Sequence, residues 1–160
     1  MASIRKKVNN RNFTLRSDKE KARASALASL SMREHSTKEL MDKLTRKGYE
    51  PESIDVVIEE CLKNNYLNDQ RFAEIYWRSR SSKGFGPNKI IMELKLRGIS
   101  ATLAQETALQ PELDFYDVIK KTYQKKYKNT EIIDYKDKAK RQNYLYQRGF
   151  SSDEIRSIIN

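Results

Sequence analysis

Leu44-Thr45-Arg46-Lys47-Gly48-Tyr49, Leu94-Lys95-Leu96-Arg97-Gly98-Ile99 and Leu145-Tyr146-Gln147-Arg148-Gly149-Phe150 spell one pattern, Leu-x-x-(Lys/Arg)-Gly-apolar. The three glycines stand 50 and 51 residues apart and are three of only five in the chain. Glycine takes the left-handed conformation at little steric cost and so ends a helix. The apolar residue after it then meets the Leu four before it, the clasp of a Schellman motif. The basic residue ahead of each glycine sits at the negative end of the helix dipole. Three such stops at near-equal spacing mark an internal repeat.

The flanks fill in each repeat. Ser36-Thr37-Lys38-Glu39 reads as a capping box opening a helix with Leu40 and Leu44 on one face. Pro51 starts the next helix, striped by Ile54, Val57, Ile58, Cys61 and Leu62. Pro87 opens a helix carrying Ile90, Ile91 and Leu94, and Leu103, Ala104, Thr107 and Ala108 form a weaker stripe after Gly98. Ser152 or Asp153 can cap a last helix with Ile155, Ile158 and Ile159. A further helix precedes each: Ala22–Leu30 opened by Ser17, Phe72–Trp77 opened by Asp69, and Phe115–Tyr123. The expected fold is all-α: three tandem three-helix repeats at 17–68, 69–113 and 114–160, stacked into an elongated, curved array. Residues 1–16 read as a basic, poorly ordered arm, and 124–140 shows little periodicity.

The chain has 160 residues, 38% hydrophobic and 34% charged, with three Pro and a formal net charge of +10. Residues 1–25 carry +6, 26–69 carry −3, 70–114 carry +2 and 115–160 carry +5. An excess of this size favours a polyanionic partner, nucleic acid or a complex containing it. No apolar run approaches the roughly 18–20 residues that span a bilayer, and the basic N-terminus has no apolar core of a secretory signal. The expectation is a soluble, cytoplasmic monomer without membrane contact.

One His and one Cys leave little for a zinc site or a Cys/His pair. His35 beside Ser36 suits a helix entry, and Cys61 suits a core position. Glu93-Leu94-Lys95 has the spacing of some nuclease sites but falls inside a helix. Lys83-Gly84-Phe85-Gly86-Pro87 lacks the strand-loop-helix setting of a phosphate loop. The expectation is therefore no enzyme, no metal and no cofactor. Binding residues are easier to nominate. Arg78, Arg80 and Lys83 lead into the Gly84–Pro87 loop, whose two glycines would let a partner approach, and Lys89, Lys95 and Arg97 follow. Lys125 and Lys126 belong to a second basic region that runs from Lys120 to Arg141, interleaved with Tyr123, Tyr127, Tyr135 and Tyr144, and Arg148 is a further candidate contact. Some of these tyrosines could stack on bases, but the sequence does not select which.

The same residues carry a family resemblance. Arg33-Glu34-His35-Ser36 with Glu39-Leu40, Lys43-Leu44 and Lys47-Gly48-Tyr49 resembles the first-repeat signature of the RecX family of bacterial recombination regulators. Leu67-Asn68-Asp69 with Arg71-Phe72-Ala73 is similar to its junction. Gly84-Phe85-Gly86-Pro87 with Glu93-Leu94 and Arg97-Gly98-Ile99 is similar to its second repeat, and Arg148-Gly149-Phe150 with Asp153 and Ile155 to the end of its third. The arm and 124–138 match no family pattern. The resemblance implies a non-enzymatic regulator of DNA repair, recombination and the SOS response. It would bind the RecA recombinase as its filament on single-stranded DNA, and reduce ATPase, strand-exchange and coprotease activities. Two other readings are a helix-turn-helix-like module that binds DNA without RecA, and a helical adaptor for an acidic protein. If Arg78, Arg80 and Lys83 line the contact, Arg80→Glu is expected to weaken inhibition while leaving helicity intact.

Overall fold

The three glycine stops form as their spacing predicts. Gly48, Gly98 and Gly149 have φ of 86°, 79° and 99°. At each, the glycine N–H donates to the carbonyl three residues back (Thr45, Lys95, Tyr146). The next residue's N–H donates five back, to Leu44, Leu94 and Leu145, at 3.4, 3.0 and 3.3 Å. The same pair of bonds closes a helix at Asn65, φ 56°, and at Gly84, φ 82°, two stops outside the repeat pattern.

The computed structural model describes the backbone of residues 2–160 and the side chains of 10–160. Among these residues there are nine α-helices and no strand. The first repeat holds α1 (Ala2–Met32), α2 (Thr37–Arg46) and α3 (Pro51–Lys63). The second holds α4 (Asp69–Ser82), α5 (Pro87–Leu96) and α6 (Ala101–Thr107). The third holds α7 (Phe115–Tyr127), α8 (Tyr135–Gln147) and α9 (Ser152–Arg156). The fold is all-α, built of three tandem three-helix repeats. By contacts the chain divides into two compact units, Met1–Phe72 and Ala73–Asn160.

Three expected helix starts move. Ser17 lies inside α1, which runs through the expected arm. No Gly or Pro stands before Gly48 to stop it, and the arm's side chains at 1–9 lie outside the described residues. Asn68, not Asp69, caps α4: its Oδ1 accepts from the Arg71 N–H at 2.9 Å. Asp69 accepts instead from the Thr37 N–H at 2.7 Å. Ser151, not Ser152 or Asp153, caps α9 through a capping box with Glu154.

In the first unit Ala22 and Ala26 of α1, with no side chain beyond Cβ, let α1 lie close on Leu40, Leu44, Ile54, Val57, Ile58 and Cys61. Burying each of the larger side chains contributes about 1.5–3 kcal/mol. Arg23 and Glu60 pair through two bonds of 2.8 and 2.9 Å at the rim. The Ser36–Glu39 capping box opens α2, and buried His35 donates from Nδ1 to the Arg33 carbonyl at 3.0 Å.

In the second unit Trp77 is fully buried, donating to the Ala104 carbonyl at 2.9 Å and meeting Phe115 edge-on. A second core of Ile119, Leu145, Phe150, Ile155 and Ile159 belongs to the third repeat. The two repeats meet backbone to backbone. The Gly86 N–H donates to the Arg148 carbonyl at 2.8 Å, and the Asn88 N–H to the Gly149 carbonyl at 3.0 Å. A Cβ on Gly86 would lie 2.5 Å from the Gly149 carbonyl carbon, and one on Gly149 would lie 2.4 Å from the Lys89 Cβ. The close approach that the Gly84–Pro87 loop permits is thus to the chain's own third repeat.

Two predictions follow from these packings. Gly48 has open space around it, so Gly48→Ala should cost only the left-handed penalty of about 1 kcal/mol. Gly149→Ala adds overpacking of about 1–3 kcal/mol or more. Urea denaturation should separate the two, and equal losses would contradict the glycine joint. Burial also lowers the His35 pKa, outweighing the hydrogen bond to the Arg33 carbonyl that opposes it. The neutral form is therefore favoured when folded. Its contribution is full above the ordinary histidine pKa of about 6.5 and is lost as pH falls from there through the lowered value. The melting temperature of the chain should drop over that range, and His35→Gln should flatten the drop.

Candidate functional site

The joint between the second and third repeats leaves an open groove of about 760 Å³. The C-terminal end of α4 supplies Arg78 and Lys83, α7 supplies Lys121, Lys125 and Lys126, and the end of α8 supplies Arg148. Only two acidic residues, Glu112 and Asp117, share the lining. Lys121 pairs with Asp117 at 2.6 Å. Lys83, Lys125 and Lys126 are exposed and make no ion pair among the described residues, and the Lys126 ammonium lies 4.8 Å from the Tyr144 ring centre. Arg148 spans the joint: its guanidinium donates to the carbonyls of Lys83 and Gly84 and lies 4.1 Å from the Phe85 ring centre. It thereby satisfies the two carbonyls that follow α4, beside the negative end of that helix.

Five of the nine nominated contact residues therefore converge: Arg78, Lys83, Lys125, Lys126 and Arg148. The other four do not line the groove. Arg80 forms two bonds of 2.7 and 2.8 Å with Glu93, which also accepts from the Tyr76 hydroxyl at 2.8 Å. Arg97 lies over the Tyr76 ring and donates to the Glu93 carbonyl. Burial alone would push the Glu93 carboxyl up. The hydrogen bonds from Arg80 and Tyr76 and the charges of Arg80 and Arg97 outweigh it and hold that group below the usual carboxylate range. The Tyr76 phenol is pushed up to about 12 by burial and by its bond to Glu93. This cluster ties α4 to α5, and Glu93 has a structural partner in place of the nuclease role that its spacing suggested. Lys89 is half-buried against Gly149 and Phe85, and Lys95 is exposed on α5.

The second basic region also divides. Arg141 is 3% exposed and belongs to the interior. Tyr123, Tyr127 and Tyr144 pack on one another around it, with ring centres 5.2 and 5.8 Å apart. Tyr135 stands apart, 83% exposed. A Lys/Arg-rich stretch does not reveal which base turns inward. The signal was the odd placement of Arg141 four residues before Leu145, on the apolar face of α8.

Among the described residues, no group of three or more His, Cys, Asp and Glu is placed to hold a metal, and no helix is long and apolar enough to cross a membrane. The fold and the groove define a helical-repeat protein with a cationic groove in its second unit. Three family models describing RecX match in succession: its first three-helix domain at 22–61, its second at 68–107 and its third at 112–159. The regulatory protein RecX of Legionella pneumophila (strain Corby) is 37% identical over 139 residues, covering 87% of this chain and 93% of the relative. That of Haemophilus influenzae (strain PittGG) is 36% identical over 132 residues, covering 81% and 87%. The crystal structure of RecX from Lactobacillus salivarius superposes with a TM-score of 0.72 at 25% identity, over 89% of this chain and 95% of that one. The chain belongs to the RecX family of regulatory proteins.

The geometry revises the charge-reversal expectation. Arg80→Glu sets a second carboxylate against Glu93 at a site only 21% exposed. It should lower the melting temperature of the chain. Lys83→Glu, at an exposed position, should leave it unchanged in a circular-dichroism melt. Equal melting temperatures for the two variants would contradict the structural role of Arg80.

Proposed function

We propose that this chain regulates RecA by binding its filament on single-stranded DNA and lowering its ATPase, strand-exchange and coprotease activities. The basic groove of the second unit is the contact. The observation that carries this reading is the convergence of Arg78, Lys83, Lys125, Lys126 and Arg148 from three helices onto one open groove, in a chain whose relatives are named regulatory proteins. A filament groove exposes protein surface with phosphates nearby. A cationic lining would gain Coulomb energy there and speed association.

The test is RecA ATPase on single-stranded DNA with the chain titrated in. The wild-type chain should inhibit near stoichiometry. Lys83→Glu combined with Lys126→Glu should raise the concentration for half-inhibition about tenfold, the loss of roughly 1.4 kcal/mol. No inhibition by excess wild-type chain would sink the proposal, and unchanged inhibition by the double variant would move the contact off the groove.

A further inference from the structure

The connection between α7 and α8, residues 128–134, exposes apolar side chains from a loop held rigidly from within. Arg141, reaching up from α8, places five donor contacts within 3.1 Å. Its Nη1 donates to the Thr130 carbonyl and the Tyr123 hydroxyl, and its Nη2 to the Glu131 carbonyl. Nε and Nη2 both meet the Asp137 carboxylate. A guanidinium has five N–H donors in a fixed fork, so all of them are used. Asp137 is tied in turn to the Ile133 N–H at 3.2 Å and the Asp134 side chain caps α8. The Arg141 hydrogen bond holds the Asp137 carboxyl below its ordinary pKa, so the clamp is ionised at neutral pH.

What this clamped loop and the first turn of α8 display is unusual for a protein interior or a plain solvent loop. Ile133 is 86% exposed and Tyr135 is 83% exposed. Neither contributes to a core, and both sit where the backbone is fixed. Lys128 and Lys136 are exposed on either side. Residues 124–141 carry seven basic and three acidic side chains. The loop begins two residues beyond Lys126, at one end of the groove. A rigid apolar pair beside exposed lysines suits a ligand with flat apolar faces strung on closely spaced negative charges. Bases that are already unstacked offer such faces, and stacking on an aromatic ring is tolerant of sequence.

We propose that this loop, with the first turn of α8, is a base-contacting tip for single-stranded nucleic acid: Tyr135 and Ile133 pack against unpaired bases while Lys128 and Lys136 meet the adjacent phosphates. Arg141 touches no ligand and acts as a positioning residue.

The test uses the full chain without RecA and a fluorescein-labelled oligothymidylate of about 30 nucleotides, followed by anisotropy across a salt series. The variant Ile133→Ser/Tyr135→Ala should bind about fivefold more weakly or worse, in line with the loss of one stacked base. Its dependence on salt should be unchanged, because no phosphate contact is removed. Tyr135→Phe, which keeps the ring, should bind like wild type. Lys128→Ala/Lys136→Ala should instead reduce the salt dependence. Both apolar positions are exposed, so melting temperatures should not move. Equal oligonucleotide affinity for wild type and Ile133→Ser/Tyr135→Ala would overturn the proposal, as would absence of wild-type binding at low salt. Loss of RecA inhibition in that variant with oligonucleotide affinity intact would also overturn it, assigning the tip to a protein surface. RecA inhibition and oligonucleotide binding are read separately, so failure of one leaves the other decided on its own terms.

Discussion

Two backbone hydrogen bonds across a pair of glycines organise the second unit: Gly86 N–H to the Arg148 carbonyl, and Asn88 N–H to the Gly149 carbonyl. They form only because neither glycine carries a Cβ, and because Gly149 turns left-handed at the end of α8. The start of α5 is thereby fixed to the end of α8. With that contact made, Arg148 reaches the carbonyls of Lys83 and Gly84 just past α4, and the Thr122 hydroxyl sits against Gly84. The mouth of the groove opens between α4 and α7. Its cations come from segments up to 70 residues apart in the chain, so no local feature could assemble them.

One residue type serves two ends in this arrangement. The Leu-x-x-(Lys/Arg)-Gly pattern stops a helix wherever it occurs, and Gly48 does nothing more, with open space about it. Gly149 stops α8 and also seats α5. The same economy holds for Arg148. Ahead of the glycine it suits the dipole of its own helix, yet its donors go to the end of α4. Charge in the groove is thus divided between cations that fasten the protein and lysines whose ammonium groups remain available to a partner.

The sequence made the architecture legible because helix stops are local. Gly, Pro and capping-box signals act within four or five residues, and Ser36, Pro51, Pro87 and the three repeat glycines sit where they predict. Where local signals competed, the reading went astray. Ser17 resembles a cap, but no Gly or Pro stands near it to break the helix, and α1 runs through it to Met32. Asn68 and Asp69 are both good caps, and tertiary structure gave the helix to Asn68 and lent Asp69 to Thr37. The candidate site was half legible. Residue type marked Arg78, Lys83, Lys125, Lys126 and Arg148 as basic, but not which bases had internal partners. Arg80 and Arg141 look the same as Lys83 in sequence. They differ through Glu93 and Asp137, and only packing brings those carboxylates into contact.

Amide hydrogen exchange at Gly86 and Asn88 tests the central claim most directly, because these N–H groups form the joint itself. If the glycine contact holds the second and third repeats together, both amides should exchange only through unfolding of the whole unit, as slowly as those of Ile119 and Leu145 in its core. Exchange at Gly86 and Asn88 near open-chain rates, with Ile119 and Leu145 still protected, would show that the joint opens independently and would contradict the account.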